Sequence, residues 1–485
     1  MGVTLYTSRV VLNVLGVQDF GIYSIVGGIV ALFAFLNGAM SSATQRFLAI
    51  DIGKKDWTNL HKTFNSTLII HIAIAFIILF VAETIGFWFL NYKLVIPDDR
   101  IYVANFVYQF SVFTSIVSIT QVPFNALIVA RERMNVFAII SILDVVFKLL
   151  VVVVLSFSPL DKLKTYSVLL FLVTIIVSTI YKIYCLRNFN ESKFHFYSDR
   201  SLYKSLISYS GWNLIGNSAA VAKGQGINIL LNLFFGTTVN AAYGIMMQVQ
   251  NAVAGFVNNF QTAVNPQIYK NYAQQNYIQM HKLMFQSSKF SFFMILVLIS
   301  PIIYNVKFIL VFWLKNPPPY TDIFVVLTLL NLLIESISYP LITGALATGK
   351  IKNYQIVVGV VLFLNLPLSY LCFKLSATPI VFLYVAIVLS ILTLCFRLLF
   401  LRKMIKLDLK DFFNTVLIPV LITSGFVIML LSFTYYIAGI SHDFGKLLVT
   451  SVVIVIFTTC FIISFGLKNS ERKMLYGLIK NRIKK

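Results

Sequence analysis

Leu12-Asn13-Val14-Leu15-Gly16-Val17-Gln18-Asp19-Phe20-Gly21-Ile22-Tyr23 and Leu231-Asn232-Leu233-Phe234-Phe235-Gly236-Thr237-Thr238-Val239-Asn240-Ala241-Ala242-Tyr243 read as two copies of one pattern. Each has Leu-Asn, then a glycine, then a tyrosine seven residues on, and each continues through an isoleucine (Ile25, Ile245) into a long apolar run. The first run ends at His61-Lys62 and the second at His281-Lys282. From Gly16 to Gly236 and onward the spacing is 220 residues without a gap, and a further echo pairs Pro123 and Arg133 with Pro340 and Lys350, 217 apart. A duplicated bundle of membrane helices is the usual plan of a transporter whose halves work around a shared site.

Composition makes the membrane reading compelling. The chain of 485 residues is 59% hydrophobic with only 12% charged residues, and its mean hydropathy is +0.86. Soluble domains carry about 25% charged residues. Apolar runs of about 20 residues cross the ~30 Å hydrocarbon core as helices, which satisfy their own backbone hydrogen bonds. We expect an all-α polytopic membrane protein of about fourteen transmembrane helices, as two parallel six-helix repeats plus a C-terminal pair. The first span precedes Gly16, and the next five cover 22–45, 64–90, 101–130, 136–158 and 163–186. The second six cover 208–235, 240–266, 288–314, 321–347, 353–374 and 377–400, and the last pair 413–438 and 444–467. Met1 to Leu15 is short for a complete span, with no basic segment ahead of it.

The corresponding regions are a six-helix lobe (1–187), a cytoplasmic amphipathic linker (188–207), a second lobe (208–402), an additional helix pair (403–467) and a basic tail (468–485). Within the linker, Asp199-Arg200-Ser201 followed by Leu202, Tyr203, Leu206 and Ile207 reads as a capped surface helix. Pro123 and Pro340, at matching places in the repeat, mark bends or tolerated membrane prolines.

A net charge of +22 would suit a nucleic-acid partner, but its placement argues otherwise. Most of the Lys and Arg fall on one side, in segments that include Lys54-Lys55, Arg131 and Arg133, 187–204, Arg402-Lys403 and the tail. Lys93, Arg100, Lys162, Lys164, Lys315, Lys374 and Lys446 fall on the other. Such asymmetry is the positive-inside pattern, which places both termini in the cytoplasm and makes membrane lipids, rather than nucleic acid, the partners of the basic tail. Four cysteines (185, 372, 395, 460) have no metal-ligand spacing. There is no phosphate-binding GxxxxGKS/T loop, no HExxH and no GxSxG. No cofactor is implied, and an enzyme is not expected.

Polar side chains concentrate in two spans. In 240–266, Gln248, Asn251, Gly255, Asn258, Thr262 and Asn265 recur at steps of three and four, which is one helix face. The span before it carries Asn213, Asn217, Lys223, Gln225, Asn228 and Asn232. Unpaired amides are costly in lipid, so this face must meet water, ligand or other helices. Interhelical hydrogen bonding is the plainer account of any single amide. For the whole stripe we expect a hydrated cavity wall, with Asn213, Asn217, Asn228, Gln248, Asn251, Asn258 and Asn265 facing a hydroxyl-rich, sugar-like ligand.

Ionisable residues at membrane depth are functional candidates. Arg9 keeps its charge at any working pH and can grip phosphate with paired hydrogen bonds, or can snorkel to the interface. Lys223 sits between Ala222 and Gly224, and Arg46 ends its span at the cytoplasmic rim, where an interfacial anchor is the alternative. Arg9, Lys223 and Arg46 are the candidate ligand anchors. Asp144 and Lys148, at i and i+4, read as a neutralised pair. Glu335, in mid-span, is the leading candidate for ion coupling, with Asp144 behind it.

Two stretches carry a family resemblance. Ser8-Arg9-Val10-Val11-Leu12 leading into Leu15 to Tyr23, and Gly211-Trp212-Asn213-Leu214 leading into Asn228 to Asn232, Gly236 and Asn240 to Tyr243, resemble bacterial polysaccharide biosynthesis proteins of the O-antigen flippase type. The resemblance implies membership of the multidrug/oligosaccharidyl-lipid/polysaccharide exporter superfamily. It implies two six-helix lobes around a cationic cavity that opens alternately inward and outward. Its substrate would be a polyprenyl-diphosphate-linked oligosaccharide, an O-antigen or capsular repeat unit, moved to the outer leaflet of the bacterial inner membrane. Helices beyond twelve often serve the lipid tail in that group. Arg9 matches the family's first-helix arginine, and Lys223 and Arg46 match less closely; the resemblance implies that these residues bind the diphosphate. The polymerase and glycosyltransferases of the same pathway become candidate partners. A cation-coupled multidrug or small-solute exporter of the same superfamily is the alternative, although that activity calls for an acidic, aromatic cavity. A non-transporting partner of a polymer synthase has no feature in its favour.

Overall fold

A computed structural model describes residues 11, 14–16, 19, 22, 23, 26, 34–92, 96–375, 378–439, 443–468 and 471–473. Their regular structure is helical throughout, and the protein is an all-α polytopic membrane protein. In chain order the helices are α1 (Ala34–Lys54), α2 (Trp57–Tyr92), α3 (Ile101–Ala130), α4 (Met134–Phe157) and α5 (Lys162–Asn188). A long helical stretch, Arg200–Ala273, is broken at Gly236 into α6 (200–235) and α7 (237–273). There follow α8 (Tyr277–Tyr304), the short α9 (Val306–Leu314), α10 (Thr321–Ala347), α11 (Lys352–Lys374) and α12 (Val381–Ile405). The last two are α13 (Leu409–Ile437) and α14 (Phe444–Gly466). Among the described residues ten helices are long and apolar enough to cross a membrane, and the amide-rich Arg200–Ala273 stretch is not one of the ten.

The chain divides into two compact units, Met1–Ser218 and Ala219–Lys485. In the first, α3 packs on α1, α2 and α5, around a core that includes Val103, Val107, Tyr108, Val112, Leu155 and Leu163. Tyr108 is fully buried, and its hydroxyl donates to the Ala82 carbonyl at 2.8 Å, where a π-turn interrupts α2. The polar segment after α5 is held down by specific bonds. Arg131 pairs with buried Glu191 and lies 4.9 Å over the Trp57 ring. His61 donates Nε2–H to the Lys193 carbonyl and accepts at Nδ1 from the Tyr197 hydroxyl, both at 2.9 Å. Asp199 caps α6 by accepting from the Ser201 and Leu202 amides. Hydrogen bonds from the Ser201 hydroxyl and these amides hold its carboxyl below the usual range. Beyond the cap, Leu206 packs on Met40 and Ile70.

In the second unit α10 packs on α8 and α12, and α13 and α14 pack on α8. Polar bonds tie this last pair down. Tyr304 donates its hydroxyl to the Thr434 and Gly439 carbonyls at 3.1 and 2.8 Å, and Asn305 reaches Thr450 and Ser451. Lys289 of α8, fully buried, donates to Glu471 beyond α14 at 2.6 Å.

The sequence repeat is also a repeat of backbone geometry. Gly16 and Gly236 both take a left-handed φ, +80° and +77°. A side chain added at either would meet nothing within 4 Å, so the requirement lies in the backbone rather than in space. Lys55 and Gln275, at the same 220-residue spacing, end α1 and α7 with φ of 60° and 57°. The next residues, Asp56 and Asn276, cap α2 and α8 through the amides of Asn59 and Gln279. His281, the mate of His61, likewise bonds a backbone carbonyl, that of Ile405, through Nε2 at 3.1 Å. At the 217-residue spacing Glu132 and Gly349 both have positive φ, 59° and 74°. Pro123 and Pro340 lie inside α3 and α10, both helical throughout.

Candidate functional site

A cavity of about 330 Å³ lies within the second unit, among α6, α7, α10, α11 and α12. Helical periodicity builds its walls. Along α10, Thr328, Asn331, Glu335, Tyr339 and Ile342 recur at steps of three and four and face it together. Along α12, Phe382, Ala386, Ser390, Thr393 and Arg397 do the same. Lys223 and Gly224 come from α6, Tyr243 and Gln250 from α7, and Asn365 from α11.

Among the described residues Glu335 is the only carboxylate on this wall, with Lys223 and Arg397 as the cations. Its Oε1 accepts from Asn331 Nδ2 at 3.0 Å and, at a longer 3.5 Å, from the Ser390 hydroxyl. Arg397 is 9% exposed and donates Nε–H to the Tyr354 hydroxyl at 3.3 Å. Tyr243 donates to the Gly224 carbonyl at 3.0 Å, which bridges α7 to α6. The amide oxygens of Asn331 and Asn365 are buried and accept from none of the described residues. Buried acceptors of that kind favour water or a bound cation nearby. Among the described residues no cluster of three or more His, Cys, Asp or Glu forms.

The first unit holds the repeat mate of this cavity, about 290 Å³ in volume. At the 217-residue spacing its Ser118 stands where Glu335 does, and Asn125 stands where Ile342 does. Helices α5 and α12 match at a spacing of 216, which relates Tyr166 to Phe382, the ring partners of Tyr23 and Tyr243. On that register Thr174, Val177 and Tyr181 occupy the places of Ser390, Thr393 and Arg397. The charge in this first cavity comes from α4, where Lys148 donates to Asp144 at 2.7 Å across one helical turn.

The structure therefore brings Lys223 and Glu335 to one wall and sets Asp144 in the other unit's cavity. Arg9 lies outside the described residues. Arg46 is buried, its guanidinium 4.8 Å over Phe47 and 4.7 Å over Tyr209. None of the seven amides expected to face a sugar lines either cavity. Asn217, Gln248, Asn251 and Asn258 are exposed, Asn228 is half-buried and Asn213 is buried. Asn265 accepts from the Thr343 hydroxyl of α10 at 2.8 Å. Sequence reasoning did not single out Arg397. It also missed Asn331, four residues before Glu335, although that spacing on a helix was an available signal.

A family model described as "Polysaccharide biosynthesis protein" matches residues 2–271. No curated protein matches the chain by sequence. Among solved structures, an outward-facing multidrug resistance transporter of the MATE family, in the MOP superfamily, superposes with a TM-score of 0.72 at 12% identity over 83% of this chain and 91% of that one. A MATE structure in complex with MaL6 gives 0.69 at 11% identity over 83% and 94%. A MOP-superfamily transporter from Pyrococcus furiosus, described as having a binding pocket of reverse polarity that suggests a different function, gives 0.68 at 12% over 83% and 91%. At these identities the likenesses establish the fold.

Proposed function

The chain belongs to the polysaccharide biosynthesis protein family, and on that footing we propose that it is a flippase. Its substrate is a polyprenyl-diphosphate-linked oligosaccharide, an O-antigen or capsular repeat unit, carried from the cytoplasmic to the outer leaflet by alternating access. The barrier to that movement is electrostatic, because a diphosphate and its sugars are strongly disfavoured in hydrocarbon. A protein lowers it by offering fixed cations and hydrogen-bonding groups in place of water. Arg9 serves as the diphosphate anchor in this reading, with Lys223 and Arg46 as further cationic contacts.

The observation that carries the reading is the exposed amide face of α7. Gln248, Asn251 and Asn258 share one side of the helix and are exposed. Neutral amides in a row offer donors and acceptors together, which suits a ligand rich in hydroxyls. The protein sits in the bacterial inner membrane with both ends in the cytoplasm and works beside the polymerase and glycosyltransferases of its pathway. Arg9→Ala should abolish surface-polymer export while drug tolerance stays unchanged. Normal export by a stably expressed Arg9→Ala protein would remove the anchor.

One observation favours a second reading, a cation-coupled multidrug or small-solute exporter: a carboxylate, Glu335, on a cavity wall beside buried amide oxygens. Glu335, and Asp144 in the other unit, are then the ion-coupling residues. Glu335→Gln should make transport insensitive to the cation gradient, and unchanged coupling would end that proposal.

A further inference from the structure

We propose that the cavity of the second unit binds a compact oxyanion of the phosphate type on the guanidinium of Arg397. The inference concerns a site within one unit and does not depend on which sugar, or which drug, the protein moves.

The first argument is burial. Arg397 is 9% exposed and lies on the cavity wall. Its Nε–H is satisfied by Tyr354, whereas its two terminal nitrogens donate to no described residue. A guanidinium stays charged at any working pH, and a buried charge without a counter-charge is strongly unfavourable. The two free nitrogens form the end of a planar fork, whose donors match two oxygens of one phosphate group.

The second argument is charge balance. Two cations, Lys223 and Arg397, share the wall with one carboxylate, so one positive charge is in excess when all three are ionised. Glu335 is engaged by Asn331 and Ser390 rather than by either cation.

The third argument comes from the repeat. In the first unit the equivalent slot carries one positive and one negative charge, Lys148 and Asp144, already joined. A tyrosine, Tyr181, stands in the register of Arg397. The same architecture is thus self-neutralised in one unit and cationic in the other, which marks the second as the one that takes an anion.

The test is isothermal titration of the full-length protein, purified in an uncharged detergent, with inorganic phosphate at constant ionic strength set by gluconate. Saturable binding is expected, weakened about tenfold or more in Arg397→Gln through loss of charge-assisted bonds. Tyr354→Phe, which frees Nε and loosens the fork, should weaken it less. Monodisperse elution and an unchanged melting midpoint qualify each variant. A parallel titration with short-chain phosphatidic acid identifies the source. Binding of that lipid but not of inorganic phosphate, with the same dependence on Arg397, assigns the oxyanion to a lipid headgroup. If neither probe binds, or if Arg397→Gln binds both as the wild type does, the proposal is overturned. The outcome is independent of surface-polymer export, so failure here and failure of the flippase reading are distinguishable.

Discussion

Removing Glu471 should destabilise the second unit out of proportion to its place near the end of the chain. Its carboxylate is 3% exposed and sits 2.6 Å from the ammonium of Lys289, which is 0% exposed, and it also accepts from the Lys468 amide at 2.8 Å. Lys289 belongs to α8, against which α13 and α14 pack. Breaking a buried pair from one side leaves an uncompensated charge and costs about 3–5 kcal/mol, whereas replacing both partners by apolar groups of similar volume is often neutral or stabilising. We therefore expect Glu471→Leu to lower unfolding stability by about 3 kcal/mol. The double variant Lys289→Met/Glu471→Leu should return to within about 1 kcal/mol of the wild type. Deleting everything after Lys468 should match the single variant, because it strands the same ammonium. The assay is SDS titration of the protein in mixed micelles, followed by circular dichroism, for all four proteins. Independent, additive losses in the double variant, or a loss below about 1 kcal/mol in Glu471→Leu, would refute the reasoning.

Two further outcomes follow from backbone and charge. Gly236→Ala places a Cβ at φ 77° and ψ −173°, a region that only glycine occupies readily. It should cost about 1–3 kcal/mol in the same titration, as should Gly16→Ala at φ 80°; a neutral result at both would show that the break is not fixed by glycine. Asp161 accepts from the Lys164 amide and from Arg100, which also reaches Asp19. Desolvation pulls its carboxyl up, but the Lys164 amide and the Arg100 guanidinium together hold it below the usual carboxylate range. A depressed acid stabilises the fold above its unfolded pKa and loses that contribution as pH falls through the folded value. Wild-type stability should therefore fall more steeply than that of Asp161→Asn between pH 5 and pH 3, and parallel pH profiles would contradict this assignment.

Much of the fold was written locally. The left-handed turns at Gly16 and Gly236, and the caps at Asp56 and Asn276, are properties of single residues and their immediate neighbours. The recurrence of the two glycines at one spacing was therefore visible before any packing was known. The Lys148–Asp144 pair was legible for the same reason, since one helical turn joins the two residues. Arg397 was not: near the C-terminal end of α12 it reads as one more basic residue at a helix end, and only the neighbouring Tyr354 of α11 shows that it turns inward. The Lys289–Glu471 pair spans 182 residues of sequence, and no periodicity links its ends.

Composition and periodicity settled that this chain spans a membrane as a duplicated helical bundle, because hydrocarbon leaves a backbone few other ways to satisfy itself. Tertiary packing decided which polar residues share a cavity. The side chains that meet there come from five helices, and the orientation of each is set by its neighbours rather than by its own sequence. A helix carries its periodicity with it, but the charge opposite any one of its faces belongs to another part of the chain.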